Sequence, residues 1–246
     1  MITGATSGIG AAVARAVLAR SAAEDRVYVN YAHRQEAAER FAAGLDDAGR
    51  GKLTFLRADL STYEGLQDLK EAFLKSEAAA GREPSLDWLV LNTGISTKKP
   101  YEEYTFEEWN RILNTNLSVP AFAVRELRPF LREGGSVLFM GSYAGRQAYS
   151  SSLVYGVSKA GVHFLARSLV KELEPMQVRV NAIAPGFTQT PWHEDRSPES
   201  YERIERKIAL HRFAKPEEIA RMAVEILSNT YMNGSVVDIH GGYDYF

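Results

Sequence analysis

The sequence predicts a single α/β domain: a doubly wound parallel sheet of seven strands with helices on both faces. Three observations lead there. Short apolar runs alternate with longer amphipathic ones along the chain, the rhythm of strand–helix–strand units whose crossover helices cover a parallel sheet. A glycine turn, Thr3-Gly4-Ala5-Thr6-Ser7-Gly8-Ile9-Gly10, leads straight into a helix. The 246 residues, 45% of them hydrophobic, suffice for a substantial core in one domain, 1–246, with no repeat or linker dividing it.

Met1-Ile2 forms a very short first strand running into the glycine turn, and the helix after it covers 9–20. Strands follow at 26–31, 52–57 and 86–91, separated by helices at 35–48 and 63–80. The long helical stretch 106–131 contains Pro120 and Pro129, each of which removes an N–H and crowds the preceding turn, so it is disturbed at both. A strand at 136–140, a long helix at 153–174 and a strand at 178–182 come next. Helices at 198–208 and 216–227 and a last strand at 235–239 complete the order.

Only backbone without a Cβ approaches a pyrophosphate closely, which is why the glycine turn matters. Gly4 suits the tight turn, Gly8 the close approach and Gly10 the packing of helix on strand. Thr6, Ser7 and Ile9 share the turn, and the helix N-terminus offers N–H groups and partial positive charge to phosphates. With 19 glycines in the chain, three at these offsets arise by chance about 0.1 times, so the surroundings must decide.

Composition narrows the function classes. A net charge of −2 leaves no basic footprint for nucleic acid, and no apolar run approaches the ~18 residues of a membrane span. Cysteine is absent, which removes disulfides, thiolate nucleophiles and Cys-ligated zinc. His33, His163, His193, His211 and His240 lack metal-ligand spacing, so no metal is expected. No basic-then-apolar leader pattern opens the chain, which makes the cytoplasm the expected location.

A second cluster lies far downstream: Ser142, then Tyr155-Gly156-Val157-Ser158-Lys159. Residues four apart share a helical face, so the Tyr155 phenol and the Lys159 ammonium address one ligand. Together with the glycine turn, Asn116 and Asn181-Ala182-Ile183-Ala184-Pro185-Gly186, this cluster resembles the short-chain dehydrogenase/reductase family over nearly the entire chain. The resemblance implies a Rossmann-like fold and hydride transfer between nicotinamide and a carbonyl or alcohol carbon. It implies Tyr155 as the proton donor or base, Lys159 as the cation beside it and the ribose contact, and Ser142 as the group positioning the substrate oxygen. Asn116 would hold a water linking Lys159 to solvent.

Cofactor contacts are expected at strand ends. The resemblance gives Asp59 and Leu60 an adenine contact, and Asn92, Thr93 and Gly94 stand where the family more often has Asn-Ala-Gly. Pro185, Gly186 and Thr188 follow the sixth strand. An acid at the end of the second strand would take a ribose 2′-hydroxyl, but the chain reads Asn30-Tyr31-Ala32-His33-Arg34. Arg34, helped by His33 and Asn30, suits a 2′-phosphate, which favours NADP(H) over NAD(H).

The segment 187–213, with Phe187, Trp192, His193, Tyr201 and Phe213, suits a mobile lid over a partly apolar small-molecule carbonyl or alcohol substrate. Gln147, Ala148 and Tyr149 are expected to line the pocket. The sequence is most similar to 3-oxoacyl-acyl-carrier-protein reductases, although Glu133 and Met176 stand where those enzymes carry basic residues for the carrier, with Arg132 adjoining the first. A sugar or steroid alcohol dehydrogenase, or a dinucleotide-binding regulatory protein without turnover, are the alternatives; the latter would be marked by loss of Tyr155 or Lys159. The resemblance also implies a homotetramer built on helices 106–131 and 153–174 and the last strand, with the tail Gly241-Gly242-Tyr243-Asp244-Tyr245-Phe246 buried between subunits.

Overall fold

Strands that alternate between two buried faces must be apolar on both, and the central strands of this chain are. In the computed structural model, which describes residues 1–148 and 152–243, Leu89 and Leu91 pack into one core while Val90 packs into the other. Val137 and Phe139 likewise oppose Leu138 and Met140. Such two-sided burial marks a parallel sheet covered by helices on both faces. Tyr149 and the tail residues Asp244, Tyr245 and Phe246 lie outside the described residues.

The first half of the chain forms α1 (Gly8–Leu18), β1 (Val27–Tyr31), α2 (Gln35–Ala43), α3 (Asp47–Lys52), β2 (Leu53–Arg57), α4 (Tyr63–Ala79), β3 (Leu86–Leu91), α5 (Phe106–Leu113) and α6 (Val119–Leu127). The second half forms β4 (Leu131–Met140), α7 (Leu153–Leu173), β5 (Arg179–Pro185), α8 (Pro198–Glu205), α9 (Pro216–Ser228) and β6 (Val236–Ile239). β1 pairs with β2, and β3, β4, β5 and β6 line up in that order, all parallel.

Ile2 joins the two groups. It bridges Val29 on one side and Val90 on the other. Its amide donates to the Tyr28 carbonyl at 2.8 Å, and the Val90 amide donates to the Met1 carbonyl at 2.9 Å. The strand expected at Met1-Ile2 is thus one bridged residue, since the turn begins at Thr3, and six longer strands form among the described residues. One core holds α1 and α9 residues such as Val13, Leu18, Ala223 and Leu227; the other holds Leu66, Leu69, Val124, Leu127, Val162 and Leu173 from α4, α6 and α7.

Three boundaries differ from expectation. The helix expected at 35–48 splits into α2 and α3, because Asp46 adopts an extended backbone and its carboxylate accepts the Gly49 amide at 2.8 Å, starting a new helix. The stretch 106–131 becomes α5, a wide π turn at Asn114–Ser118, and α6, followed by a short turn at Arg128–Phe130. Pro120, which lacks an N–H, sits in the first turn of α6 just after Val119, so the register shifts in the turn before it. Leu131 ends up in a strand, because β4 starts earlier than 136 with an exposed stretch before its buried half. No described helix is long and apolar enough to cross a membrane.

Candidate active site

The glycine turn is built by long-range bonds. Asn30, buried at the end of β1, accepts the Gly4 amide at 3.2 Å and donates to the carbonyls of Leu56 at 3.1 Å and Ala58 at 3.0 Å. Asn92, just after β3, donates to the carbonyls of Thr3 at 3.1 Å and Gly4 at 2.9 Å. Gly4 and Gly8 take left-handed conformations, with φ of +58° and +54°, that only glycine adopts freely. Gly10 sits so close to the strand ends that a Cβ there would come within 2.4 Å of Asn92 Nδ2 and 2.6 Å of the Gly4 carbonyl. Ser7 precedes α1 in extended conformation without a side-chain capping bond, and no acid lies in the helix's first turn. The turn offers an anionic phosphate backbone N–H groups, the Ser7 hydroxyl and the neighbouring Thr190 side chain, with no acid in the first helical turn, which fits a dinucleotide pyrophosphate. Ile9 and Thr6 are half-buried beside it.

Beyond β1 and β2 the expected cofactor residues behave differently from one another. His33 Nε2 lies 3.1 Å from Asp59 Oδ2, and Asp59 Oδ1 accepts the Ser61 amide at 3.0 Å. Burial raises the Asp59 carboxyl, but the Ser61 and His33 bonds outweigh it and hold the group below its ordinary range. Leu60 is buried under this corner. The Asn30 side chain accepts the Gly4 amide and donates to the Leu56 and Ala58 carbonyls, and so shapes the turn. Among the described residues neither Arg34, exposed immediately before α2, nor Arg57 at the end of β2 forms an ion pair, and Arg57 Nε donates to the Ala32 carbonyl at 3.3 Å.

Thr93, the departure from the family pattern, places its Oγ1 in the interior without a hydrogen-bond partner, 2.9 Å from where a Gly4 Cβ would lie. Gly94 stands before the catalytic cluster, where a Cβ would lie 3.6 Å from Lys159 Nζ and 3.4 Å from Asn116 Oδ1, in ordinary contact with both. Pro185 ends β5, the Gly186 amide donates to Ile239 at 2.7 Å, and the buried Thr188 hydroxyl donates back to the Gly186 carbonyl at 3.2 Å.

Tyr155 and Lys159 lie one turn apart on α7, facing the end of β4. Lys159 is buried, its Nζ donates to the Met140 carbonyl at 2.6 Å, and it lies 5.7 Å from the Tyr155 ring centroid. Burial lowers its pKa from 10.5 to about 8, so it remains a cation at neutral pH. Burial raises the Tyr155 phenol, while a hydrogen bond with Ser142 lowers it. Ser142 also accepts the Ala144 amide at 3.2 Å, which fixes its hydroxyl in the turn after β4.

His163 is a residue of this site that the sequence reading passed over. Its Nε2 accepts the Ser142 amide at 3.4 Å, and burial, with Arg146 second, pushes its pKa down to about 4. A neutral ring is what that acceptor role requires. The signal was present, because residues 155, 159 and 163 repeat at four-residue spacing on one helix face.

Asn116 sits in the π turn, but its side chain is committed elsewhere. Oδ1 accepts the Ile95 amide at 2.8 Å, and Nδ2 donates to the Ile95 carbonyl at 2.9 Å and to Ser158 Oγ at 3.0 Å. It ties the exit of β3 to α7 and makes no direct bond to Lys159.

The segment expected as a lid packs over the cluster. Phe187, His193, Tyr201 and Phe213 form one aromatic group, with ring centroids 4.8 to 5.9 Å apart. Trp192 lies 5.6 Å from the Tyr155 ring, and Lys98 meets Asp195 at 3.0 Å across the rim. Gln147 and Ala148 are exposed beyond the Ser142 turn. A 420 Å³ cavity lies away from Tyr155, against α4 and α6, lined by Tyr63, Phe122 and Arg125 among others.

The family model described as "Enoyl-(Acyl carrier protein) reductase" matches residues 4–244. The rhamnolipids biosynthesis 3-oxoacyl-[acyl-carrier-protein] reductase of Pseudomonas aeruginosa is 32% identical, covering 99% of this chain and 94% of that protein. The 3beta-hydroxysteroid dehydrogenase 1 of Eggerthella lenta is 31% identical, covering 98% and 92%. The crystal structure of the angucycline C-6 ketoreductase LanV with bound NADP superposes with a TM-score of 0.90 at 27% identity, covering 98% of this chain and 93% of that one. The similarity runs the length of the chain: it belongs to the short-chain dehydrogenase/reductase family of oxidoreductases.

Proposed function

We propose that this chain binds NADP(H) and catalyses reversible reduction of a carbonyl to a secondary alcohol, with a 3-oxoacyl compound as the leading substrate type. When bound, the cofactor supplies or takes up the hydride. The backbone of Gly4, Gly8 and Gly10 with Thr6, Ser7 and Ile9 would cradle the pyrophosphate. Asp59 and Leu60 would border the adenine, Arg34 the 2′-phosphate with His33 beside it, and Asn92, Thr93, Gly94, Pro185, Gly186 and Thr188 would line the remaining path. Support for NADP(H) comes from the unpaired Arg34 and from the NADP in the LanV structure.

The observation that carries the reading is the convergence of Ser142, Tyr155 and a buried, charged Lys159 at the end of β4. In reduction the Tyr155 hydroxyl gives its proton to the substrate oxygen, which Ser142 holds in place. The Lys159 ammonium stabilises the phenolate left behind, because a nearby opposite charge favours the ionised form. Asn116 ties the loop after β3 to α7 through Ile95 and Ser158, and would hold the water linking Lys159 to solvent.

A steroid alcohol is the second reading, supported by the similarity to the Eggerthella lenta enzyme. Near Glu133 and Met176, where a carrier protein would dock, Arg132 is paired with Asp87 at 3.4 Å and the exposed Arg128 lies against Met176 Sδ at 3.3 Å. Screening ketones with NADPH and alcohols with NADP⁺ tests the proposal. Turnover of at least one class is expected, and NADPH binding without any turnover would favour the regulatory alternative.

Residues 1–246 are read as one domain, with Met1-Ile2 as the residual first of seven strands. A homotetramer is part of the same proposal. Phe106 on α5, Phe122 on α6 and Leu153, Val157 and Phe164 on α7 are exposed, an apolar surface suited to helix packing between subunits. A cytoplasmic location goes with the reading, because NADPH is an intracellular metabolite.

A further inference from the structure

We propose that Trp192 is the specificity-determining wall of the catalytic pocket, selecting carbonyl compounds with a flat apolar flank beside the reacting carbon over sugars and other polyols. This rests on the function proposed above and names the substrate class it serves.

Both flanks of Trp192 are held in place. Upstream, the Thr190 side chain reaches within 3.3 Å of where a Gly8 Cβ would lie, so this part of the segment rests on the glycine turn. Pro191 then fixes one backbone angle as the short turn Pro191–His193 begins. Downstream, the His193 ring packs at 5.9 Å from Phe187 and 5.5 Å from Phe213. Its Nδ1 accepts Arg196 Nε at 3.0 Å, and its carbonyl accepts the Tyr201 hydroxyl at 3.1 Å. Burial, with Arg196 second, pushes the His193 pKa down to about 4, so the ring is neutral at ordinary pH and able to accept the Arg196 bond.

Between these anchors the indole projects toward the reacting groups. Its ring lies 5.6 Å from the Tyr155 ring at 50°, yet 46% of the residue remains exposed. A half-exposed indole beside the proton-donating phenol offers an open aromatic face where the carbon next to a bound carbonyl must lie. At the rim Lys98 pairs with Asp195 at 3.0 Å, and Arg196 is turned onto His193 Nδ1 at 3.0 Å and Ser200 Oγ at 3.3 Å. A polyol would need a donor or acceptor for each hydroxyl it brings out of water. The wall offers one indole N–H and a π face, which suits a ring or a packed alkyl chain instead.

Aromatic contacts beyond area burial contribute about 0.5–1.5 kcal/mol, or about 2- to 12-fold in affinity. The test uses the full chain saturated with NADPH and compares 1-tetralone, a flat ring ketone, with dihydroxyacetone, a polar open-chain one. Trp192→Ala and Trp192→Phe are measured beside wild type, with KM and kcat resolved and NADPH affinity titrated separately. Wild type should prefer 1-tetralone. Trp192→Ala should raise its KM by about 2- to 12-fold while kcat and NADPH affinity change less, and Trp192→Phe should recover most of the loss. A wild-type preference for dihydroxyacetone, or an unchanged KM for 1-tetralone in Trp192→Ala, would overturn the inference. Failure of wild type to reduce any ketone while binding NADPH would instead overturn the function on which it rests.

Discussion

Replacing Gly10 by alanine puts one methyl group where the fold has no space. The new Cβ would lie 2.4 Å from Asn92 Nδ2, 2.6 Å from the Gly4 carbonyl and 2.9 Å from Ala5 Cα. Two of these three are backbone atoms of the turn itself, so relief requires either moving α1 off the sheet or expelling the Asn92 amide. Overpacking of this kind costs about 1–3 kcal/mol. Losing the Asn92 bonds to Thr3 and Gly4 costs about 0.5–1.5 kcal/mol each, and the better helix propensity of alanine returns about 0.8–1 kcal/mol. A net loss of about 1 to 5 kcal/mol follows. Gly51 in α3 is the internal control, since a Cβ there meets nothing within 4 Å. Gly51→Ala should be neutral or stabilising by up to about 1 kcal/mol. Urea unfolding followed by circular dichroism reads both variants. A Gly10→Ala midpoint at or above that of wild type would refute the close-packing account of the turn.

Other consequences follow from the same geometry. Arg34→Glu should weaken NADPH relative to NADH by at least about tenfold, since a charge-assisted bond is worth about 1.5–3 kcal/mol; equal effects on both cofactors would remove Arg34 from the phosphate site. Lys159 has a folded pKa of about 8 against an ordinary 10.5, so within that window the unfolded chain binds more protons and stability rises with pH. The penalty for burying the charge is fully present below about 8 and vanishes above 10.5, so unfolding midpoints should rise across the window more in wild type than in Lys159→Met. Parallel profiles would contradict it. Light scattering at micromolar concentration should give a tetramer, and a monomer would defeat the assembly proposal.

Strand interiors were legible because two-sided burial leaves a run of apolar residues that nothing else in the chain imitates. Boundaries were less so. Asp46 starts a new helix through one local bond to Gly49, and the π turn before Pro120 depends on where a missing N–H falls; neither alters the apolar pattern. The exposed first half of β4 reads as the end of a helix. At the site, Tyr155 and Lys159 stood out because their spacing on one helix face coincides with the glycine turn, Ser142, Asn116 and Asn181-Ala182-Ile183-Ala184-Pro185-Gly186. His163 has the same spacing, but a histidine weighed only as a metal ligand is easily set aside. Asn30 and Asn116 were singled out as polar residues near a ligand, yet their amides satisfy backbone groups of chain segments distant in sequence. Only the fold brings those partners near. The placement of Trp192 on Tyr155 is equally a property of how the segment after β5 folds back.

The central claim is proton donation by Tyr155 during hydride transfer to a carbonyl, and isotope transfer tests it most directly. NADPH carrying deuterium on the transferable nicotinamide position is incubated with the best ketone found, and the alcohol is examined by mass spectrometry and NMR. Deuterium should appear on the carbinol carbon with wild type. With Tyr155→Phe, which keeps the ring and removes the hydroxyl, the rate should fall by about 10⁴-fold or more while NADPH still binds, because general acid catalysis contributes about 10²- to 10⁴-fold and this is the sole donor. Deuterated alcohol formed by Tyr155→Phe at a rate near wild type would contradict the account.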